Sequence, residues 1–511
     1  MIAVSWSICQ EPVKPACTGV QIPGLSRCLA HLRGPRLVDA LQAIRKADTV
    51  DLRGTAFTAD LLSQVLTHRG LRLNEANFDG ARFEEKASFE GVEFTGETWF
   101  RGARFAGDAV FDEARFAGGV WFDRARFAGR ASFVAARFEA PGGLGPLAAD
   151  SLVLDEAVFA QPMIIEAEAG VVSCVRTRFE DGVALRVRFA VVRLEQVRFG
   201  AASSLAGSST FAVGYSAISD IADENQRQNW TRWAARIHAR DLRSGPEGWQ
   251  PALASLSGTD VSELVLTDID LRWCHFAGAL RLEKLRIEGR SPFAQPPPGL
   301  RWTNRQVIFD EHLWRARRDE DSGWQAGHPF GDAFGPGWRV AAVGPERLAA
   351  LYRGLRKSME DNKNEAGSGD FYYGEMEARR HATVTPRGER VILRAYWLFS
   401  GYGQRASRAL IALALLVLLV TAGLVGFGLP AEPQPGQVVA ADTTARPPAP
   451  DQRVTWDRAE TSARLALNAV VFRDAGQRLT TAGNWIVLLA RLLGPVLLAL
   501  AFLAIRARVK R

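Results

Sequence analysis

The sequence predicts a mainly β solenoid, followed by an α-helical hairpin and two transmembrane α-helices. Three observations predict it. Phenylalanine recurs from Phe78 to Phe138 at unbroken steps of five and six residues. A small or β-branched residue stands two positions before each of these rings. Two apolar stretches long enough to cross a bilayer lie near the end of the chain. Composition agrees with this picture: 28 Phe stand against 6 Tyr and 4 Met, so the rings belong to a local pattern and not to a generic core. The 511 residues suggest two to four domains, and 47% hydrophobic content excludes a disordered chain. Five cysteines exclude a disulfide scaffold, and a net charge of +7 on this length is no nucleic-acid footprint.

The first segment, residues 1–50, has neither the basic nor the apolar region of a secretory signal over Met1–Gln10. It carries Cys9, Cys17, Cys28 and His31. Three thiols and an imidazole are a soft donor set that suits zinc, and clustering in a reducing compartment favours a metal over a disulfide. The intervals are irregular, and only Cys28-x-x-His31 has the spacing of a familiar ligand pair. The expected role is structural, tying down the chain ahead of the solenoid. Buried free thiols beside a surface histidine are the plainer alternative.

The repeat occupies residues 51–200. Its core positions are Phe78, Phe83, Phe89, Phe94, Phe100, Phe105, Phe111, Phe116, Phe122, Phe127, Phe133 and Phe138. A helical period would scatter these rings around an axis, and a strand period would put steps of five on alternating faces. A chain that turns a corner every five or six residues satisfies both steps. On each short face the residue two before the ring points inward with it, and the residue between points out, as at Arg82, Glu93, Arg104, Arg115 and Arg126. Corners fall at Asp79-Gly80, Ala106-Gly107 and Ala117-Gly118, where turn chemistry is present.

Units such as Ala81-Arg82-Phe83-Glu84-Glu85, Ala103-Arg104-Phe105-Ala106-Gly107 and Ala125-Arg126-Phe127-Ala128-Gly129 resemble the pentapeptide-repeat family. The resemblance implies a right-handed quadrilateral β-helix, the pentapeptide-repeat solenoid, in which the twelve rings make three coils. The alternating six-residue step departs from the strict five. The pattern returns more weakly around Leu154, Phe159, Phe179, Leu194 and Phe199. It fails over 201–260, where Ser and Gly are dense at 203–209 and Asn229–Leu242 has helical spacing; an insertion with a loop and a helix is expected there. A continuation of the β-helix follows at 261–290 through Leu266, Leu271, Phe276, Leu282 and Ile287.

Residues 291–345 read as an irregular Trp-rich linker. Residues 346–400 read as a helical hairpin and juxtamembrane segment, its first arm carrying Leu348, Leu351, Tyr352, Leu355 and Met359. The wording Arg356–Lys363 and Gly369–Glu377 resembles a segment of membrane-anchored bacterial pentapeptide-repeat proteins that joins repeats to C-terminal spans, some of which enclose a potassium-channel-like pore. The first span is expected at 409–431 and the second at 485–505, with an extracytoplasmic loop at 432–484 and a basic cytoplasmic tail at 506–511. Arg491, about two turns into the second span, can snorkel to the interface beside Trp485. Arginines at 379, 380, 387, 390, 394, 405 and 408 precede the first span, and Arg506, Arg508, Lys510 and Arg511 follow the second, so both termini are expected in the cytoplasm and the protein in the inner membrane.

No catalytic constellation is present: no metalloprotease His pair, no nucleophile elbow and no phosphate-binding loop. DNA mimicry, which the resemblance raises, needs an acidic face, whereas residues 71–140 hold 12 acidic and 10 basic residues. The expectation is a non-enzymatic, membrane-anchored scaffold with the bilayer and an unidentified protein as partners, a homo-oligomer in some settings, and no nucleic acid. The alternative is an ion or small-solute conduit with the solenoid as regulator. Its filter would have to lie near Thr480-Thr481-Ala482-Gly483, because Gly401-Tyr402-Gly403 precedes the first span.

Overall fold

The computed structural model describes residues 6–12, 16–208, 250–298, 305–319, 323–335, 337–430, 454–472 and 479–509. The chain divides into two compact units, Met1–Lys363 and Asn364–Arg511.

The first unit is a solenoid of about eight turns in which neighbouring coils pair as parallel strands. Most strands are two residues long, because the chain must turn again after each face. Within the Phe-rich coils the register advances by one full circuit from Ala76 to Thr98 and from Arg82 to Arg104. Four rings fall on each circuit, so the coil has four sides. Rings one circuit apart stack nearly parallel: Phe78 on Phe100 at 4.9 Å, Phe83 on Phe105 at 4.4 Å, Phe89 on Phe111 at 4.8 Å, and Phe94 on Phe116 at 4.8 Å. Strand spacing imposes that separation. Rings on opposite sides meet edge-on across the interior, as Phe89 does Phe100 at 5.5 Å, so the interior combines stacked and T-shaped contacts. All twelve rings are buried.

The corners explain the alternating step. A two-residue corner ends on a left-handed residue: Gly80 at φ 66° and, two coils on at the same place, Arg124 at 57°; at the other two-residue corner, Gly91 at 66° and, one coil on, Glu113 at 58°. A three-residue corner instead places its middle residue against the coil below. A Cβ on Gly118 would lie 2.3 Å from the Gly96 carbonyl. One glycine therefore serves a dihedral and the other serves clearance.

Several elements differ from expectation. Ser203–Gly207, in the Ser/Gly stretch predicted as loop, is a strand paired with both Val183–Arg188 and Leu264–Thr267. Ser203 and Leu205 point inward and are buried, so serine simply fills a small inward position. Ala252–Ser255 likewise belongs to the solenoid, which narrows the expected insertion; the predicted helix Asn229–Leu242 lies outside the described residues. The Trp-rich segment contains the helix Phe309–Ala316, nearly all of it buried. The helix Pro345–Asp361 lies on the last coil, where Ser358 Oγ donates to the Leu285 carbonyl at 2.5 Å. The second expected arm of the hairpin, Glu365–His381, belongs to the other unit.

The second unit is helical. Two of its helices are long and apolar enough to cross a membrane, Ala406–Gly428 and Thr481–Arg506. The expected limits 409–431 and 485–505 are thus displaced by a few residues. Between them, Trp456–Leu467 and the wider turn Asn468–Phe472 pack against both: Leu465, Ala466, Ala469 and Val470 share a cluster with Val420, Leu424, Val487 and Ala490. Of the expected loop 432–484, the described residues 454–472 are thus helical and packed. A Cβ on Gly494 would meet Val470 at 3.0 Å, so glycine admits that backbone midway along the second long helix.

Candidate metal centre

Cys9 lies on a short antiparallel pairing in which Ile8 faces Val20, and the Cys9 N–H donates to the Gly19 carbonyl at 2.8 Å. Cys28 precedes the single helical turn Leu29–His31, which carries the imidazole back over the thiols. The loop between brings Cys17 alongside. All four donor atoms lie within 4.8 Å of one another. Cys9 Sγ is 3.4 Å and Cys28 Sγ 3.3 Å from His31 Nδ1, and Cys17 Sγ is 3.6 Å from Cys28 Sγ. A tetrahedron with metal–sulfur bonds of ~2.3 Å has edges of roughly 3.7 Å, so these separations match one ion placed centrally. The 3.6 Å between Cys17 and Cys28 is contact and not a disulfide, and all five cysteines are free.

Two features fit the group. The Gly19 N–H donates to Cys17 Sγ at 3.4 Å, which suits a sulfur carrying negative charge. A Cβ on Gly19 would come within 2.8 Å of Cys28 Cβ and Sγ, so the backbone closes on the thiols only because this residue is glycine. Electrostatics act in the same direction. Burial pushes the Cys28 thiol up, and charge on Cys17 and Cys9 pushes it further. At Cys9 burial also raises, but hydrogen bonds from the backbone of Cys28 and Glu11 and from the neighbouring thiols outweigh it, and the net shift is downward. A dication placed between the thiols would offset both their burial and this mutual repulsion.

The knot is fastened to the first coil. The Val20 N–H donates to the Arg53 carbonyl at 2.8 Å, and Thr18 Oγ1 donates to the Gly54 carbonyl at 3.1 Å. Trp6 Nε1 donates to the Thr18 carbonyl at 2.9 Å, and the Arg53 guanidinium lies 4.9 Å over the Trp6 ring. Cys9, Cys17, Cys28 and His31 were legible in the sequence; Gly19, Thr18 and Trp6 were not, although the Cys17-Thr18-Gly19 order is a signal for a tight sulfur-binding turn.

A second polar centre lies at the other end of the solenoid. Asp310 and Glu311 open the helix Phe309–Ala316 and are fully enclosed. Asp310 accepts from the backbone of Phe276 at 2.9 Å and Ala277 at 3.1 Å, and sits 2.9 Å from His275 Nδ1. Glu311 pairs with Arg305 and with Arg315 at 2.6 Å, and accepts from the Tyr352 hydroxyl. Burial raises its carboxyl, yet Arg305 and Arg315 bring it down to about 2. Nearby, a cleft of ≈ 530 Å³ is lined by residues including Arg193, Glu195, His275 and Trp338. Arg193 pairs with Glu195 at 2.5 Å, and Trp338 Nε1 donates to Glu195 at 3.0 Å. These groups pair with one another across the segment, which is how a polar strap is held on a solenoid.

The residues raised as a filter have structural roles. Thr480 Oγ1 donates to the Phe427 carbonyl at 2.5 Å and accepts from the Gly483 N–H at 3.0 Å, joining the end of one long helix to the start of the next. Tyr402, in the Gly401–Gly403 turn, is fully buried and its hydroxyl donates to Glu377 at 3.1 Å.

Residues 72–115 and 89–137 match a family model described as pentapeptide repeats (9 copies). No curated protein and no solved structure matches the chain.

Proposed function

We propose that this chain is a membrane-anchored, non-enzymatic repeat scaffold whose solenoid offers a long surface to a protein partner on the cytoplasmic side. One observation carries the reading: the two long apolar helices are only 11% and 28% buried, so most of their greasy surface faces outward, as lipid contact requires and a soluble core helix does not permit. The arginines before the first helix and the basic tail after the second support cytoplasmic termini. A regular β surface, with the matched repeats as its framework, supports binding and not chemistry. Fractionation tests it. The protein is expected to stay with membranes after alkaline carbonate washing, with tags at both ends protected from outside; recovery in the soluble fraction sinks the reading.

Cys9, Cys17, Cys28 and His31 are assigned a structural zinc ion that locks the segment covering the first coil. Elemental analysis of the full chain under reducing conditions is expected to find about one zinc per chain, as one four-ligand site holds, and Cys28→Ser to lose it. A metal-free wild type removes the assignment.

A second reading, an ion or small-solute conduit, draws support from Trp456–Phe472, which reaches Gly494 between the two long helices. Recordings on the reconstituted protein decide it: an ion-selective current altered by substitutions along 465–470 would replace the scaffold reading.

A further inference from the structure

We infer that the helix Arg387–Ser400 lies in the plane of the membrane and docks on an anionic lipid surface immediately before the first span, an inference that rests on the membrane-anchored reading. This helix has two apolar faces. One is used inside the protein: Leu393 and Ser400 are buried, and Tyr396 and Trp397 pack with Tyr373, Met376 and Tyr402. Trp397 Nε1 donates to the Tyr373 hydroxyl at 3.1 Å, which fixes the helix's rotation. The other face is uncovered. Val391 and Ile392 are 60% and 68% exposed, and Leu398 and Phe399 are 59% and 42% exposed. With exposed Ala395 these occupy i, i+1, i+4, i+7 and i+8, a single stripe. A helix resting on a soluble domain needs only one apolar face; a second face needs an apolar environment of its own.

Charge identifies that environment. Arg387 and Arg394 flank one edge of the stripe, both exposed, and among the described residues neither has an ion pair. The helix's one acid, Glu389, is engaged by Arg379 at 2.5 Å. Guanidinium groups beside an uncovered apolar stripe match phosphate headgroups above acyl chains. The stripe is also continuous along the chain with the lipid-facing surface: after the Gly401–Gly403 turn, exposed Leu410, Ile411 and Leu415 follow on the first long helix. A protein partner could cover an apolar stripe, but it would not account for this continuity with the span or for the arginine edge.

Single cysteines test it on the full chain, because all five native cysteines are buried. Ile392→Cys and Leu398→Cys carry an environment-sensitive fluorophore, and Leu415→Cys reports the span. The proteins are reconstituted in phosphatidylcholine vesicles with and without phosphatidylglycerol. Labels at 392 and 398 are expected to be quenched by a quencher carried near the headgroups and shielded from iodide, more so in the anionic vesicles. The double variant Arg387→Gln/Arg394→Gln is expected to lower the docked-to-undocked ratio about fivefold per arginine in anionic vesicles only. Labels at 392 and 398 open to iodide while the 415 label is lipid-quenched overturn the docking and leave the anchor standing. A 415 label in water overturns both. Shielding without lipid quenching, rising with protein density, assigns the stripe to a protein contact and overturns it. Equal behaviour of the double variant in both vesicle types overturns the anionic preference.

Discussion

The two halves of the solenoid fill the same kind of interior in different ways. From Phe78 to Phe138 the coil repeats every 22 residues, as the hydrogen bond from Arg101 to Asp79 shows, and all four sides carry rings. From Phe159 to Phe199 the repeat is 20 residues, as in the Arg186–Glu166 pair, and beyond Phe138 one ring ladder continues alone through Phe159, Phe179 and Phe199. The other sides use Leu, Val, Ile and Ala, in strands such as Met163–Val175 that run on around a corner. Four sides of three residues with corners of two, three, two and three make the longer coil, and corners of two throughout make the shorter one. The wide corners go with the rings, and the step of six records them.

The strongest way to break this comparison is to empty the ring-filled half. Phe111 stacks on Phe89 and Phe133 and meets Phe100 and Phe122 edge-on. Phe111→Ala is expected to cost about 3–5 kcal/mol, against about 2 kcal/mol for the equally buried Val172→Ala in the aliphatic half. Denaturant titration of both variants checks it; equal losses would mean that the rings add nothing special. The wide corners come next. Gly118→Ala puts a methyl 2.3 Å from the Gly96 carbonyl and must push neighbouring coils apart, an expected loss of about 1–3 kcal/mol in the same titration.

Acid separates the halves in another way. His328 is pushed by burial down to about 4, despite the Trp273 and Ala254 carbonyls and Glu195, and Glu311 sits at about 2. Both bind fewer protons folded than unfolded. His328 therefore contributes stability above its unfolded value near 6.5 that is lost as pH falls toward 4, and Glu311 contributes stability above its unfolded value near 4.5 that is lost as pH falls toward 2. His275 opposes them. Burial lowers it, but Asp310 and Glu195 together raise it, so its contribution is present below 6.5 and disappears as pH rises through its folded value. Tryptophan emission from the Trp273–Trp338 region is expected to shift on acidification before the Phe ladders melt, and His328→Gln to remove the component above pH 4. The smallest effect is at a narrow corner: Ala135 holds φ 56°, and Ala135→Gly is expected to stabilise by about 0.5–1 kcal/mol, read as a higher midpoint.

The repeat was legible because each unit writes the same two inward positions, so periodicity alone places Ala76 and Phe78 in the interior. The metal centre was half legible. Donor types are visible in Cys9, Cys17, Cys28 and His31, but the intervals between them say nothing about convergence, which depends on a pairing of Ile8 with Val20 and on Gly19 having no side chain. The helix Phe309–Ala316 was missed because its buried Asp310 and Glu311 look like surface residues until Phe276, Ala277, Arg305 and Arg315 come round to meet them.

What the sequence determined by itself is therefore local and periodic: where the rings lie, where the corners turn, and where two helices are long and apolar enough to cross a membrane. These follow from the residue's own chemistry and its neighbours within one coil or one helical turn. Tertiary structure alone decided which long-range partners met. It set the edge closed by the Cys–His knot, the polar groups that neutralise one another under the Trp-rich strap, the segment between the long helices that reaches Gly494, and the second apolar face of Arg387–Ser400 that stays uncovered. Each depends on a contact between residues whose separation in sequence carries no signal, because burial is a property of the assembled neighbourhood and not of the side chain.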